Sequence, residues 1–196
     1  MKILIGSHNP GKIKEFKAIL EPQGYTVLTL EDVDVSMDDL EETGQTFEEN
    51  ARLKAKYIHE LTNLDVIADD SGLRIESLPD ILGIYTARFM GEDTDQALKN
   101  QAVLKLLEPF ENRKAIFTSA ICVYGANIDE VFVGVCEGKI AKSIQGHEGF
   151  GYDPLFIPKG YEDTFAVLDR SVKNTISHRA LALQKVSNYF NENQIN

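Results

Sequence analysis

The sequence of 196 residues has no tryptophan, two cysteines and six prolines. Cys122 and Cys136 lack the C-x-x-C spacing of a zinc or redox site, and both lie in strand-like apolar runs. We therefore expect two buried thiols and no disulfide. The sequence also lacks internal repeats, low-complexity segments and any linker rich in glycine, proline and serine, so nothing in it marks a boundary between independent domains.

Long apolar runs are missing as well. The N-terminal KILIG run is far too short for a signal peptide or a membrane span. We therefore expect a cytoplasmic protein without a membrane partner.

Basic residues are in short supply. Lysine and arginine total 20 against 31 aspartates and glutamates, which gives a net charge of −11. Such a surface repels nucleic-acid backbones and anionic membranes, so we expect no nucleic-acid partner. An anionic ligand must then be a small molecule that meets a local basic pocket, and Mg²⁺ would help to neutralise it.

The apolar pattern predicts strands that alternate with helices. A strand over 2–5, a helix over 13–20 and a strand over 25–30 form an opening βαβ unit. Further predicted elements are helices over 47–62, 94–107 and 177–192, a strand over 66–68, and an antiparallel hairpin of 115–124 and 130–137. The class is α/β with a mixed, partly antiparallel sheet and flanking helices. Two lobes that share one sheet fit better than two independent domains, so we expect one domain over 1–196.

The opening loop, GSHNPGKI at residues 6–13, resembles a phosphate-binding loop. It matches the first seven positions of G-x-x-x-x-G-K-[ST], but Ile13 stands where a hydroxyl would ligate Mg²⁺. One interpretation is a plain βα turn with a solvated Lys12. The other is an anion site in which Ser7, Asn9, Lys12 and the backbone N–H groups of the following helix face a phosphate. If that holds, other residues must bind the metal.

Two acidic pairs are candidates for the metal site. Glu41 and Glu42 lie in a loop, and Asp69 and Asp70 end the strand predicted at 66–68. Ligands of α/β proteins bind at the carboxyl ends of strands, and Mg²⁺ prefers oxygen ligands. A turn of solvated acids or a helix cap is the alternative. Because Asp69 follows three buried-looking residues, we expect at least one carboxylate of that pair to be shielded from solvent.

The glycine-rich stretch EGFGYDP, at residues 148–154, must form a loop. The rings of Phe150 and Tyr152 can stack on a nucleobase. Alternatively, one ring fills the core and the glycines make a turn.

The stretch KNTISHR, at residues 173–179, contains the predicted start of the last helix. Ser177 can cap that helix, which puts His178 and Arg179 in its first turn. Cations at this end oppose the helix dipole and cost stability unless an acceptor compensates them.

Six motifs together resemble one known family. In order, SHNPGK, EETGQTFEENARLKA, ADDSGL, GIYTAR, GFGYDPLF and ISHRALAL look like the inosine triphosphate/xanthosine triphosphate pyrophosphatase family over essentially the whole chain. The resemblance implies hydrolysis of deaminated purine nucleoside triphosphates (ITP, dITP, XTP) between the α and β phosphates, with Mg²⁺ as cofactor. It also implies a two-lobed α/β fold with an interlobe cleft, and a homodimer.

The resemblance also assigns roles by position. Asp70 would be the general base and a metal ligand, and Glu41 or Glu42 would complete the metal site. Ile13 then needs no hydroxyl and is free to pack as a helix residue. The substrate-binding residues would be Ser7, His8, Asn9, Pro10, Gly11, Lys12, Ser71, Phe150, Gly151, Tyr152, Asp153, Lys173, His178 and Arg179.

Three features depart from the family pattern. His8 replaces a small residue and crowds the opening loop, Leu82 stands where proline is usual, and the segment before Lys173 lacks an acidic run. These departures bear on fine specificity more than on chemistry.

Three alternatives compete with this interpretation. A P-loop nucleotide kinase needs Ser or Thr in place of Ile13 and an arginine-rich lid, and the sequence has neither. A pyrimidine-directed pyrophosphatase fits the FGYD and SHR motifs less well. A non-catalytic homodimer that senses nucleotides would not need both acidic motifs.

Overall fold

The computed structural model describes residues 2–91 and 93–193. These residues form β1 (Lys2–Gly6), α1 (Pro10–Leu20), β2 (Thr26–Leu28), α2 (Phe47–Thr62), β3 (Val66–Ile75), α3 (Gln96–Leu106), β4 (Lys114–Gly125), β5 (Ile128–Ile140), β6 (Phe156–Pro158), α4 (Arg170–Ile176) and α5 (His178–Glu192). The strands form one sheet in the order β2-β1-β3-β4-β5-β6. β1 pairs in parallel with β2 and β3, whereas β5 and β6 are antiparallel, so the predicted mixed α/β sheet is confirmed.

Among the described residues, no helix combines the length and the apolar character needed to cross a membrane.

The chain divides into two compact units. Unit 1 comprises Met1–Asp70, Ser119–Gly134 and His178–Asn196. Unit 2 comprises Ser71–Thr118 and Val135–Ser177. The chain therefore passes from one unit to the other within β3, β4 and β5, and again between Ser177 and His178.

Unit 1 buries its central strands on both faces, as parallel strands require. On one face, Ile3, Ile5 and Ile67 pack with residues of α1 and α5 in a single apolar cluster. The other face carries α2, since the space beside Gly6 is filled by Ile58 of that helix. Successive strand residues point to opposite faces, so within unit 1 the odd positions of β3, Ile67 and Asp69, face α1 and α5, and the even positions face α2.

Unit 2 has a core of its own. β6 pairs with β5 in the register Gly138 to Pro158, Lys139 to Ile157 and Ile140 to Phe156. The buried core residues are Leu73, Ile75, Leu78, Leu82, Val103, Leu107, Ala115, Phe117, Cys136, Ile140, Tyr152, Leu155, Phe156 and Phe165.

Several predicted elements are confirmed. α2 begins after Thr46, whose hydroxyl accepts the N–H of Glu49 at 3.1 Å, and it ends at Asn63 in the left-handed conformation. β4 and β5 are adjacent in the sheet and joined by residues 126–127, as the predicted hairpin requires. Cys122 and Cys136 are buried and free.

Other predicted boundaries were wrong. β3 continues through Asp69 and Asp70 to Ile75, although residues 66–68 alone were predicted as strand. α1 begins at Pro10, because proline at the first helical position has the right φ and needs no acceptor for an N–H. Sequence patterns also missed β6 and α4, which are only 3 and 7 residues long. The last helix begins at His178, and Ser177 ends α4.

The position of α5 depends on Gly134 in β5. A Cβ at this residue would lie 2.0 Å from the backbone oxygen of His178 and 2.5 Å from the backbone nitrogen of Ala182. Only glycine lets the backbone of the helix approach the strand so closely.

We expect Gly134→Ala to lower the free energy of unfolding by at least about 2 kcal/mol, because the added methyl group overlaps backbone atoms that cannot rotate away. Urea unfolding followed by circular dichroism measures the change. Val135→Ala is the control, since Val135 is exposed and its truncation should cost less than about 1 kcal/mol. A fully stable Gly134→Ala variant would show that α5 can move without loss.

Candidate functional site

The opening loop lies between β1 and α1 in unit 1. Asn9 caps α1, and its side-chain oxygen accepts the N–H of Lys12 at 3.1 Å. Because that N–H is engaged and Pro10 has none, the loop offers fewer backbone donors to an anion than the sequence predicts. Ser7 is buried, and its hydroxyl accepts the N–H of Asn9 at 3.1 Å. Ile13 packs against the core of unit 1, as expected.

His8 is exposed in the same loop. Its Nε2 accepts the N–H of Met37 at 3.4 Å, which connects the opening loop to the segment that precedes Glu41 and Glu42. The predicted effect of His8 on fine specificity stays a prediction.

Asp69 is buried on the face of β3 that carries α1 and α5. Lys12 Nζ lies 2.7 Å from its Oδ1, and Ser119 donates a hydrogen bond of 3.0 Å to its Oδ2. Arg179 Nη2 lies 3.1 Å from the same Oδ2. The expectation that at least one acid of the pair is shielded is confirmed, because Asp69 is 1% and Asp70 8% exposed.

Arg179 connects Asp69 to a carboxylate of α1. Its side chain is buried, and its guanidinium donates to Glu15 as well as to Asp69. These are the acceptors expected for a cation in the first turn of α5. His178 is buried at the first position of that helix. Contacts of His178 and Arg179 with a base stay predictions.

The cations around Asp69 fix its charge. Burial alone raises the pKa of a carboxyl, but here Arg179 and Lys12 outweigh it, so the pKa of Asp69 lies well below its usual range. Burial lowers the pKa of Lys12, and Asp69 opposes that shift. The carboxylate of Asp69 is therefore ionised throughout the pH range in which proteins work.

Asp70 points to the opposite face of β3, toward α2. Lys54 Nζ lies 2.8 Å from Asp70 Oδ1 and 3.0 Å from Glu42 Oε1. Asn50, one helical turn before Lys54, donates to Asp70 Oδ2 at 3.3 Å, and its oxygen accepts the N–H of Gly44 at 2.8 Å. The structure thus brings Glu42 to Asp70, whereas Glu41 is exposed on the same loop.

Both members of the Asp70–Lys54 pair have shifted pKa values. Burial raises the pKa of Asp70, although Lys54 and Lys12 oppose this. Burial would lower the pKa of Lys54, but Asp70 and Glu42 outweigh it, so that pKa is raised. Lys54 therefore stays an ammonium, and Asp70 is more basic than an ordinary aspartate, which suits a general base.

Glu42 and Asp70 also fit a divalent cation by the chemistry of their donors. No group of three or more His, Cys, Asp or Glu side chains clusters as a metal site within 2–91 and 93–193. Mg²⁺ needs no such cage, because it commonly takes one or two carboxylates and completes its shell with water and phosphate oxygens. Oxygens of Glu42 and Asp70 already converge on one cationic centre, the ammonium of Lys54.

Sequence reasoning missed four residues of this cluster: Glu15, Asn50, Lys54 and Ser119. A signal existed for two of them. Asn50 and Lys54 lie on the same face of α2 as the buried Phe47, Ala51 and Ile58. Polar side chains on the apolar face of a helix need partners, so this pattern indicates a buried polar site.

The predicted residues of unit 2 form a second cluster. Lys173 Nζ forms an ion pair with Asp153 and lies 5.0 Å from the ring centroid of Phe150. Asp153 also accepts the N–H of Phe150 at 2.8 Å. A Cβ at Gly149 would lie 2.1 Å from the Asp153 carboxylate, and φ of Gly149 is +81°, so the turn requires glycine.

Tyr152 serves mainly as a core residue of unit 2. Its ring is buried, and its hydroxyl donates to the backbone oxygen of Thr86 at 3.3 Å. The backbone oxygen of Gly151 accepts from Asn100 at 3.2 Å. Of the two aromatic residues, Tyr152 is thus the one that fills the core, and Phe150 is the more exposed. The substrate contacts predicted for Ser71, Phe150, Gly151 and Tyr152 stay predictions.

The fold and the unit 1 cluster define an α/β protein in which buried cations and paired carboxylates meet beyond the end of β1. The chain belongs to the Ham1 family, whose family model matches residues 3–189. The family identified from six sequence motifs is thereby confirmed.

Similar proteins cover the chain almost completely. A protein of Bacillus subtilis named dITP/XTP pyrophosphatase is 46% identical over 187 residues, which are 94% of this chain and 94% of that protein. A protein of the same name from Christiangramia forsetii is 36% identical over 98% of this chain and 100% of its own. The solved structure of a HAM1 protein from Coxiella burnetii matches with a TM-score of 0.86 and 36% identity, covering 98% of this chain and 99% of that one.

We expect the ionised Asp69 to stabilise the protein in a pH-dependent way. Because its folded-state pKa is depressed, this stabilisation is present above the unfolded-state pKa of about 4 and is lost as the pH falls toward the folded-state value. Asp69→Asn should therefore lower the free energy of unfolding more at about pH 7 than at about pH 3.

Urea unfolding at the two pH values measures this difference. Asp39→Asn is the control, because Asp39 is exposed on a loop. An equal loss at both pH values would mean that the charge of Asp69 contributes nothing to folding.

Proposed function

We propose that the protein hydrolyses deaminated purine nucleoside triphosphates, namely ITP, dITP and XTP, to the monophosphate and pyrophosphate. The observation that carries the proposal is the unit 1 cluster just past the end of β1. There Lys12 contacts Asp69 on one face of β3, and the side chain of Asp70 points to the other face. Support comes from the name dITP/XTP pyrophosphatase that relatives 36% to 46% identical bear.

The charge of the cluster supports Mg²⁺ as the cofactor. Three cations, Lys12, Lys54 and Arg179, face four carboxylates, Glu15, Glu42, Asp69 and Asp70, so the formal charge is 3 − 4 = −1. A triphosphate adds several further negative charges. A divalent cation held by Glu42 and Asp70 would neutralise phosphate oxygens and make such binding favourable.

The reaction asks the protein mainly for positioning and charge. Lys12 donates to phosphate oxygens and stabilises the pyrophosphate that leaves. Asp70 accepts the proton of the attacking water while the oxygen of that water bonds to the α-phosphorus and the α–β bridging bond breaks. Asn50 holds the Asp70 carboxylate in one orientation, which a base needs in order to reach the water.

Assembly and location stay predictions. A homodimer is what the family resemblance implies. We retain the cytoplasm as the expected location.

Substrate choice tests the proposal directly. A 6-oxo purine accepts hydrogen bonds at C6, whereas adenine donates there, and the predicted base contacts Lys173, His178 and Arg179 are donors. A mismatch of hydrogen-bonding groups at the base can cost on the order of 10⁴ in kcat/KM, so ATP should be a very poor substrate beside ITP, dITP and XTP.

The assay separates pyrophosphate from orthophosphate release, each with Mg²⁺ present. Pyrophosphate from ITP is the expected product. Orthophosphate would indicate cleavage at another bond, a preference for pyrimidine triphosphates would favour the pyrimidine-directed class, and no turnover with any triphosphate would favour a nucleotide sensor.

Replacing Asp70 tests the role of the base. We expect Asp70→Asn to lower kcat at least ~10²-fold with little loss of nucleotide binding, because the amide keeps the shape but cannot accept the proton. Steady-state kinetics and nucleotide titration measure the two effects. Asp80→Asn, an exposed aspartate in unit 2, is the control. Unchanged kcat at saturating substrate would remove Asp70 from the mechanism.

A further inference from the structure

Lys54 occupies an unusual place between two carboxylates. Its ammonium lies 3.0 Å from Glu42 and 2.8 Å from Asp70, and the residue is only 6% exposed. Asn50 binds the Asp70 carboxylate directly, and its side-chain oxygen accepts the N–H of Gly44, which fixes the loop two residues after Glu42. The oxygens that Lys54 contacts are therefore preorganised to receive a cation.

The same oxygens cannot serve two cations equally. An ammonium and a divalent cation placed within a few ångströms of each other repel strongly in a site that is largely shielded from water. Mg²⁺ also requires a regular octahedron of oxygens at short distance, which leaves no room for the Lys54 ammonium between two of its ligands.

We propose that Lys54 is an internal competitor of the metal for Glu42 and Asp70. Lys54 keeps both carboxylates neutralised and oriented, and a divalent cation binds only when the ammonium withdraws from them. The displaced ammonium is then available to the phosphates of the nucleotide, so nucleotide and metal binding favour each other. The identity of the metal and the nucleotide rests on the proposed function.

Metal binding without nucleotide tests the competition. We expect Lys54→Met to bind Mn²⁺ roughly tenfold or more tightly than the wild-type protein, because the competing charge is gone. Electron paramagnetic resonance of free Mn²⁺ gives both dissociation constants. Lys56→Met is the matched control, since Lys56 lies on the same helix, is mostly exposed, and contacts Glu60 at 3.9 Å. Equal or weaker Mn²⁺ binding by Lys54→Met would overturn the proposal.

A second measurement needs no variant and so holds even if Lys54→Met fails to fold. Spectra that select the side-chain ammonium nitrogens of lysine follow Lys54 in the full-length wild-type protein during a Mg²⁺ titration. The Lys54 signal should shift or broaden as the metal binds, while that of Lys56 stays in place. A Lys54 signal unchanged at saturating Mg²⁺ would overturn the proposal.

The two tests separate this inference from the proposed function. If the wild-type protein releases pyrophosphate from ITP but neither effect is seen, the proposed function stands and the competition by Lys54 is refuted. If both effects are seen but no triphosphate is hydrolysed, the competition by Lys54 stands and the proposed function is refuted.

Discussion

The structure of unit 1 depends on two adjacent carboxylates in the middle of its sheet. Asp69 and Asp70 are consecutive residues of a strand, so their side chains point to opposite faces. Each is nearly buried, and a buried carboxylate is stable only if it is paired and hydrogen-bonded. The fold must therefore place cations on both faces of β3 at the same position along the strand.

The elements on the two faces meet this demand in different ways. α1 and α5 bring Lys12 and Arg179 to Asp69, and Glu15 forms a second ion pair with Arg179. α2 brings Lys54 and Asn50 to Asp70, and the loop before it adds Glu42. The close approach of α5 to Gly134 belongs to the same arrangement, because Arg179 stands at the start of that helix.

Sequence patterns predicted the parts of this arrangement that local chemistry decides. Thr46 and the apolar periodicity specify α2, and the alternation of strands and helices specifies the α/β class. The predicted strand ended too early, at residue 68, because Asp, Ser and Gly are poor strand formers. The partners that override this preference are remote in sequence. Arg179 and Asp69 are 110 positions apart, and no local pattern joins them.

The two faces of β3 also differ in whether their lysine can leave its carboxylate to bind a ligand. If Lys12 turns from Asp69 toward a phosphate, Asp69 keeps Arg179 and the hydroxyl of Ser119. If Lys54 turns away, Asp70 and Glu42 lose the cation that lies between them, and Asn50 supplies only a neutral donor. A buried carboxylate such as Asp70 is costly without a cation. Lys12 can therefore move to a phosphate independently, whereas movement of Lys54 requires a replacement cation at the Asp70 face. Under the proposed function, this asymmetry would place the metal on the Asp70 face of β3.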